Sequence, residues 1–393
     1  MKTFIKLFIL FTLLNNPSFS QSLVDSLTSD DYDIIFNKLD EIVEQNRVEA
    51  ISIIHDIIEQ SDPYIQLQFL HTLDALNDLE ITLYTQALID RADQFALHES
   101  SEDPLFAKVN ASGILFKNDN FSTAEYLIEY VEVKKPNVYW FLDLLPLVYQ
   151  NVPAYRQVIK DDLVNILENA EYETNRFIAL KHLIEFAGTE AITNIVNAFV
   201  NNSKSSIRLL AFEGLIKLNY QELNSLIKSR LSLDSDQVIR REIADTLLVK
   251  FGTPSDLKAV IDYLPNEPDE VSRRLMEHSI HNFIPPRPTV PTDEMIRNLI
   301  HYNDELLQYG WVKIETIHNK FENLLLKIEV KYYNKDFPIL CNLISSLFLQ
   351  IDNALAIGEL TTEGDKFMHR LLFYIKENIE SEFGNCEEKG KLD

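Results

Sequence analysis

Asp236-Gln237-Val238-Ile239-Arg240-Arg241-Glu242-Ile243-Ala244, continued by Leu248, is the stretch that decides the fold. Arg241 belongs to a series, Arg176, Arg208, Arg241 and Arg274, at intervals of 32, 33 and 33 residues, and its neighbours travel with it. Three residues on stand Ala179, Ala211, Ala244 and then Glu277. Seven on stand Leu183, Leu215, Leu248 and then His281, and ten on Phe186, Leu218, Phe251 and Ile284. Offsets of three, seven and ten trace one face of an α-helix, so the repeated unit is helical. Repeats of this length are helix pairs that cannot bury their apolar faces alone. Stacked copies hide those faces, which predicts an all-α chain built as an α-α superhelix, a solenoid with long surfaces suited to holding partners.

Outward from that stretch, first helices are expected near residues 190–200, 222–231 and 255–264, where Ile195, Ile227 and Val260 align, as do Phe199, Leu231 and Leu264. Glu171, Ser203, Asp236 and Asp269 each stand five residues before an arginine of the series. These residues resemble HEAT repeats of the armadillo type, most of all the short bacterial kind related to bilin-lyase accessory proteins. In that family the second helix opens with Asp, then Val-Arg, with Ala and Leu on the core face. The resemblance covers about residues 170–284. It implies that Asp236 and Asp269 form a ladder with Arg176, Arg208, Arg241 and Arg274 between adjacent repeats, a structural role in which Ser203 leaves a weaker rung.

Residues 21–169 read as further helix pairs in degenerate form, with stripes such as Ile34, Ile35, Leu39, Ile42 and a copy of the second helix in which Ile65-Gln66 stand where other repeats have Ile207-Arg208. The last repeat carries Glu277 and His281 at core positions, as suits a terminal unit with a more polar face. Pro285-Pro286-Arg287-Pro288-Thr289-Val290-Pro291 cannot be helical, so 285–292 is expected to be an extended, stiff linker and a domain boundary. Residues 293–383 show about four amphipathic helices, a C-terminal helical domain followed by a polar tail at 384–393. Gly310-Trp311-Val312, Asn342-Leu343, Gln350-Ile351 and Gly358-Glu359-Leu360-Thr361 resemble the small FIMAH domain of bacterial exported proteins and enzymes, which implies location and modularity. Thr361 stands as a helix cap.

Residues 1–20 read as a signal peptide, with Lys2 and Lys6 before the apolar run 7–14 and Ser18-Phe19-Ser20 as the cleavage pattern. Export to the periplasm or beyond is therefore expected. Removing the two lysines takes the net charge from −25 to −27. A field of that sign disfavours phosphate backbones and favours cationic partners, so nucleic acid is excluded and a protein partner expected. Nothing after residue 20 is expected to span a membrane. With 46% hydrophobic residues the chain can bury a large core.

Chemistry has few places to stand. His278 and His281, three apart with Glu277 beside them, could face one ion, but no third ligand is visible, so no metal site and no cofactor is expected. Cys341 and Cys386 either pair, pinning the tail, or stay apart. No glycine-rich phosphate loop, no Gly-x-Ser-x-Gly and no Cys-x-x-Cys occurs. The reading is an exported, non-catalytic α-solenoid acting as a protein-binding scaffold or adaptor. The alternative is an enzyme or an enzyme accessory subunit, lyase-chaperone-like or part of a carbohydrate-active complex.

Overall fold

The computed structural model describes residues 17–61, 63–92, 104–134, 139–384 and 386. The fold is all-α. Among the described residues no strand occurs, and one isolated antiparallel bridge joins Val312 to Leu360. The chain divides into two compact units, Met1–Leu218 and Asn219–Asp393. The division does not fall at the proline-rich segment, which belongs to the second unit.

The first unit contains α1 Pro17–Leu27, α2 Tyr32–Glu44, α3 Ala50–Ile57, α4 Pro63–Ala75, α5 Ile81–Arg91 and α6 Pro104–Lys117. It continues with α7 Ala124–Lys134, α8 Leu145–Asn151, α9 Arg156–Asn169, α10 Glu173–His182, α11 Ile192–Asn201 and α12 Ser205–Lys217. Each helix packs chiefly on its neighbours in the chain and the next but one, as α10 does on α9 and α12. With only nine glycines available, asparagine and aspartate end the helices: Asn46, Asn77, Asp119 and Asn219 all take positive φ. These short polar side chains tolerate the left-handed region better than most. Behind three of them the next amide reaches back five residues, Arg47 to Ile42, Asp78 to Leu73 and Asn120 to Leu115, closing the helix end. Phe199 stacks on Phe212 with ring centroids 5.4 Å apart, locking α11 to α12. Residues 1–16, most of the expected signal peptide, lie outside the described residues.

The second unit contains α13 Leu223–Leu231, α14 Gln237–Thr246, α15 Pro254–Tyr263, α16 Glu270–His281, α17 Thr292–Gln308, α18 Glu315–Tyr333, α19 Phe337–Ala356 and α20 Thr362–Phe383. Thr253 and Asp256 form a capping box at the start of α15. The last four helices match the sequence expectation, α17 packing on α18 and α20, and α19 on its two neighbours. Thr361 accepts the Gly364 amide as the expected cap. Contrary to expectation, α19 is long and apolar enough to cross a membrane by length and composition; here Leu340, Ile344, Leu347 and Ile351 are buried in the bundle.

The proline segment is extended but does not hang free as a spacer. Tyr374 Oη donates to Pro285 O at 3.3 Å, Arg287 Nη1 pairs with Glu377 at 3.2 Å, and the Pro286 ring lies on Gly252. Its carbonyls and rings find partners because proline offers no amide to a helix or sheet.

Candidate functional site

The second helix of each repeat starts where the chain turns back, leaving carbonyls of the previous helix end and turn without partners. Arginines fill that need. Arg176 Nε donates to Ala170 O at 2.5 Å, Arg208 Nη1 to Asn202 O at 3.0 Å, and Arg240 Nη1 to Asp234 O at 2.9 Å. Each reaches the carbonyl six residues before it. Gln66, in the degenerate copy, reaches Ser61 O in the same manner at 2.7 Å.

The third member of the row is therefore Arg240 and not Arg241. The intervals are then 32, 32 and 33, and Arg273, following buried Ser272 as Arg240 follows buried Ile239, takes the fourth place in register but pairs with Glu270 and Glu277 instead of a turn carbonyl. Arg241 pairs with Glu242 and Arg274 with Glu270, both on the outer face one residue further round the helix. A one-residue step rotates a side chain by about 100°, enough to carry it from the repeat junction to solvent. The ladder expected from Asp236 and Asp269 is also corrected. Asp236 accepts the amides of Val238 and Ile239, and Asp269 that of Ser272, so both are helix caps. Ser203 stands one residue before the cap position, which Lys204 occupies.

The residues that sequence reading missed lie two before the caps. Asn202, Asp234 and Glu267 each accept the amide two residues on, at 3.0, 2.9 and 3.0 Å. Their spacing, 32 and 33, was a signal as regular as the arginines. Glu267 makes a rung between repeats, since Arg240 donates to it twice from the preceding repeat, and Tyr263 Oη adds a further bond at 2.9 Å. Burial pushes the Glu267 carboxyl up, but Arg240, the Asp269 amide and Tyr263 together hold it below its ordinary value. Burial and the hydrogen bond to Glu267 push the Tyr263 phenol up to about 12.

With Arg240 turned inward, the opposite side of α14 and the matching side of α16 face solvent. Val238, Val271 and Leu275 are 38%, 65% and 42% exposed there, beside Arg241 and Arg274. Ser279 Oγ donates to Asp245 Oδ1 at 2.8 Å, tying α16 to α14 below that ridge. Val238 and Val271 occupy equivalent places, two before Arg240 and Arg273.

Glu277, His278 and His281 lie exposed on α16, Glu277 4.0 Å from Arg273 and His278 bonded to Asn282. The structure brings no third ligand to the histidines; among the described residues no group of three His, Cys, Asp or Glu is placed to hold a metal ion. Cys341 and Cys386 are joined in a disulfide, with Cα atoms 5.5 Å apart, so of the two open alternatives the chain takes the pinned tail.

Two further polar features belong to the second unit. Asp256 is fully buried and accepts from Lys228 Nζ at 2.6 Å, Asn224 at 2.9 Å and the Thr253 amide at 2.8 Å. Near it, Glu305 has its carboxyl pushed up by burial, a tendency reinforced by the Asp256 charge and opposed by His301 and Lys228. The other feature is a cavity of about 300 Å³ beside α20, with Phe283, Ile284 and Phe373 as its apolar wall and Lys366, His369 and Arg370 on its rim.

The chain matches no protein-family model, and no curated protein is significantly similar to it.

Proposed function

We propose that the chain is an exported, non-catalytic helical-repeat protein of HEAT type that holds a protein partner, with a FIMAH-like helical module at its C-terminal end. The observation that carries this reading is the ridge on α14 and α16. Two consecutive second helices leave Val238, Val271 and Leu275 in water on one side, while Arg240 and the caps Asp236 and Asp269 lie on the other. Apolar side chains arranged in register on neighbouring helices, flanked by charge, are the composition of an interface core with a polar rim. The strongly acidic chain favours a partner with a basic rim around an apolar contact. The signal-like first 20 residues support a place of work outside the cytoplasm.

A photo-crosslinking residue at Val271 of the mature chain tests this in the envelope fraction of its source. A defined adduct is expected, competed by excess unlabelled chain and lost when Val238 and Leu275 are changed to Glu. A crosslinker at Leu79, exposed in the first unit, serves as control. Identical adducts from both positions, or none from Val271, would remove the reading.

A further inference from the structure

The cavity beside α20 has chemistry of its own, independent of the ridge. Lys366, Arg370 and Phe373 succeed one another at helical spacing, so one face of α20 presents two cations and an aromatic ring toward Phe283 and Ile284. In a chain with 61 acidic and 36 basic residues, cations gathered at an apolar hollow run against the overall charge.

Their geometry is held. Lys366 Nζ donates to the carbonyls of Ile280 and His281, at 3.1 and 2.7 Å, closing the C-terminal end of α16. Arg370 donates from Nε to Tyr374 Oη at 2.9 Å, and its guanidinium lies 4.8 Å from the Tyr374 ring centroid and 5.3 Å from that of Phe373. Tyr374 is fixed in turn by Pro285 O. Two aromatic faces and one hydrogen bond hold the fork, and no ion pair joins Arg370 to a carboxylate among the described residues. The nearby acids Asp352 and Asp365 approach His369 instead, at 3.7 and 3.4 Å.

The geometry points to a binding site for a small apolar monocarboxylic acid, whose hydrocarbon part lies against Phe283, Ile284 and Phe373 and whose carboxylate meets Arg370. A planar fork matches a carboxylate in two parallel hydrogen bonds, and Lys366 adds field without being free to move. A volume of about 300 Å³ is at the lower end of ligand cavities, which fits a free acid rather than a folded partner. The site uses no residue of the α14 and α16 ridge, so either can fail alone.

Titration calorimetry on the full mature chain, with 4-phenylbutyrate as probe, tests the assignment. Saturable binding is expected, weakened at least about tenfold in Arg370→Gln, which stays polar but loses both the charge and the fork. Arg297→Gln, at an exposed position of α17, should bind as the parent does. Arg370→Glu should lose phenylbutyrate and admit 4-phenylbutylamine. The assignment falls if phenylbutylamine or 4-phenylbutanol binds the parent as tightly as the acid, if acetate alone competes equally, or if Arg370→Gln leaves affinity unchanged. No saturable binding at millimolar phenylbutyrate overturns it too, and tighter binding of a peptide ending in phenylalanine overturns the free acid as occupant.

Discussion

Arg240 donates from Nε and Nη2 to the two oxygens of Glu267, at 2.8 and 2.6 Å, across a separation of 27 residues. The pair is almost wholly out of water, with side-chain exposures of 6% and 0%. It joins the start of one second helix to the turn before the next. Tyr263 Oη and the Asp269 amide complete the lone pairs of the carboxylate. A bidentate pair so satisfied is stable as a unit and costly to halve.

Removing one partner should therefore hurt more than removing both. Arg240→Met or Glu267→Met alone is expected to destabilise the second unit by about 3–5 kcal/mol, while Arg240→Met with Glu267→Met recovers much of the loss. Urea denaturation of the four chains measures the cycle; equal and additive losses would contradict a coupled pair. The pH dependence follows from the depressed Glu267 value. A carboxyl held lower in the folded state contributes stability above its unfolded value of 4.5 and loses it as pH falls through the folded value, so the parent should lose more stability than Glu267→Gln below about pH 4.5.

His182 is buried in the first unit, where burial pushes its imidazole down and Asp143, 3.2 Å away, offsets this only in part. A histidine whose folded value is depressed binds fewer protons folded than unfolded, so stability is present above its ordinary value of 6.5 and falls as pH drops through that region. His182→Gln should flatten the melting-temperature profile between about pH 7 and 5 relative to the parent. An unchanged slope would place the titrating group elsewhere.

Gly252 takes φ +56°, and a Cβ there would lie 2.1 Å from Cδ of Pro286 and 2.9 Å from Leu248 O. Gly252→Ala should cost about 2–4 kcal/mol, from left-handed strain of about 1–2 kcal/mol together with displacement of the proline segment. By comparison Gly358→Ala, with positive φ but open space around it, should cost only the strain. Thermal melts compare the two, and equal losses would mean that the Pro286 contact carries no weight.

The bridge from Cys341 to Cys386 closes a loop of 45 residues. Cys341→Ser with Cys386→Ser is expected to lower stability by about 2–4 kcal/mol, mostly through the unfolded chain. A reductant should reproduce that loss in the parent and leave the double variant unmoved. If it shifts both alike, the effect is not the bridge.

Much of the fold was legible because burial repeats. Ala179, Ala211, Ala244, Leu183, Leu215 and Leu248 are all buried where helical spacing predicted them, and the four C-terminal helices fall where their stripes do. The arginine register was not legible. Arg240-Arg241 and Arg273-Arg274 are doublets, and a count of intervals accepts either member, since 32 and 33 differ by no more than the variation between repeats. The candidate ligand cavity was hidden as well. Phe283 and Arg370 are 87 positions apart in the chain, and no local pattern links them.

Periodicity by itself determined that this chain is helical, that its helices come in pairs, and which side of each pair avoids water, because those are consequences of side-chain spacing along one helix. Which arginine closes the junction, whether the cysteines meet, and where the proline segment rests were decided only in three dimensions. Each depends on what a neighbouring element brings to the same point: a carbonyl for Arg240, a sulfur for Cys341, and the bare Cα of Gly252 for Pro286.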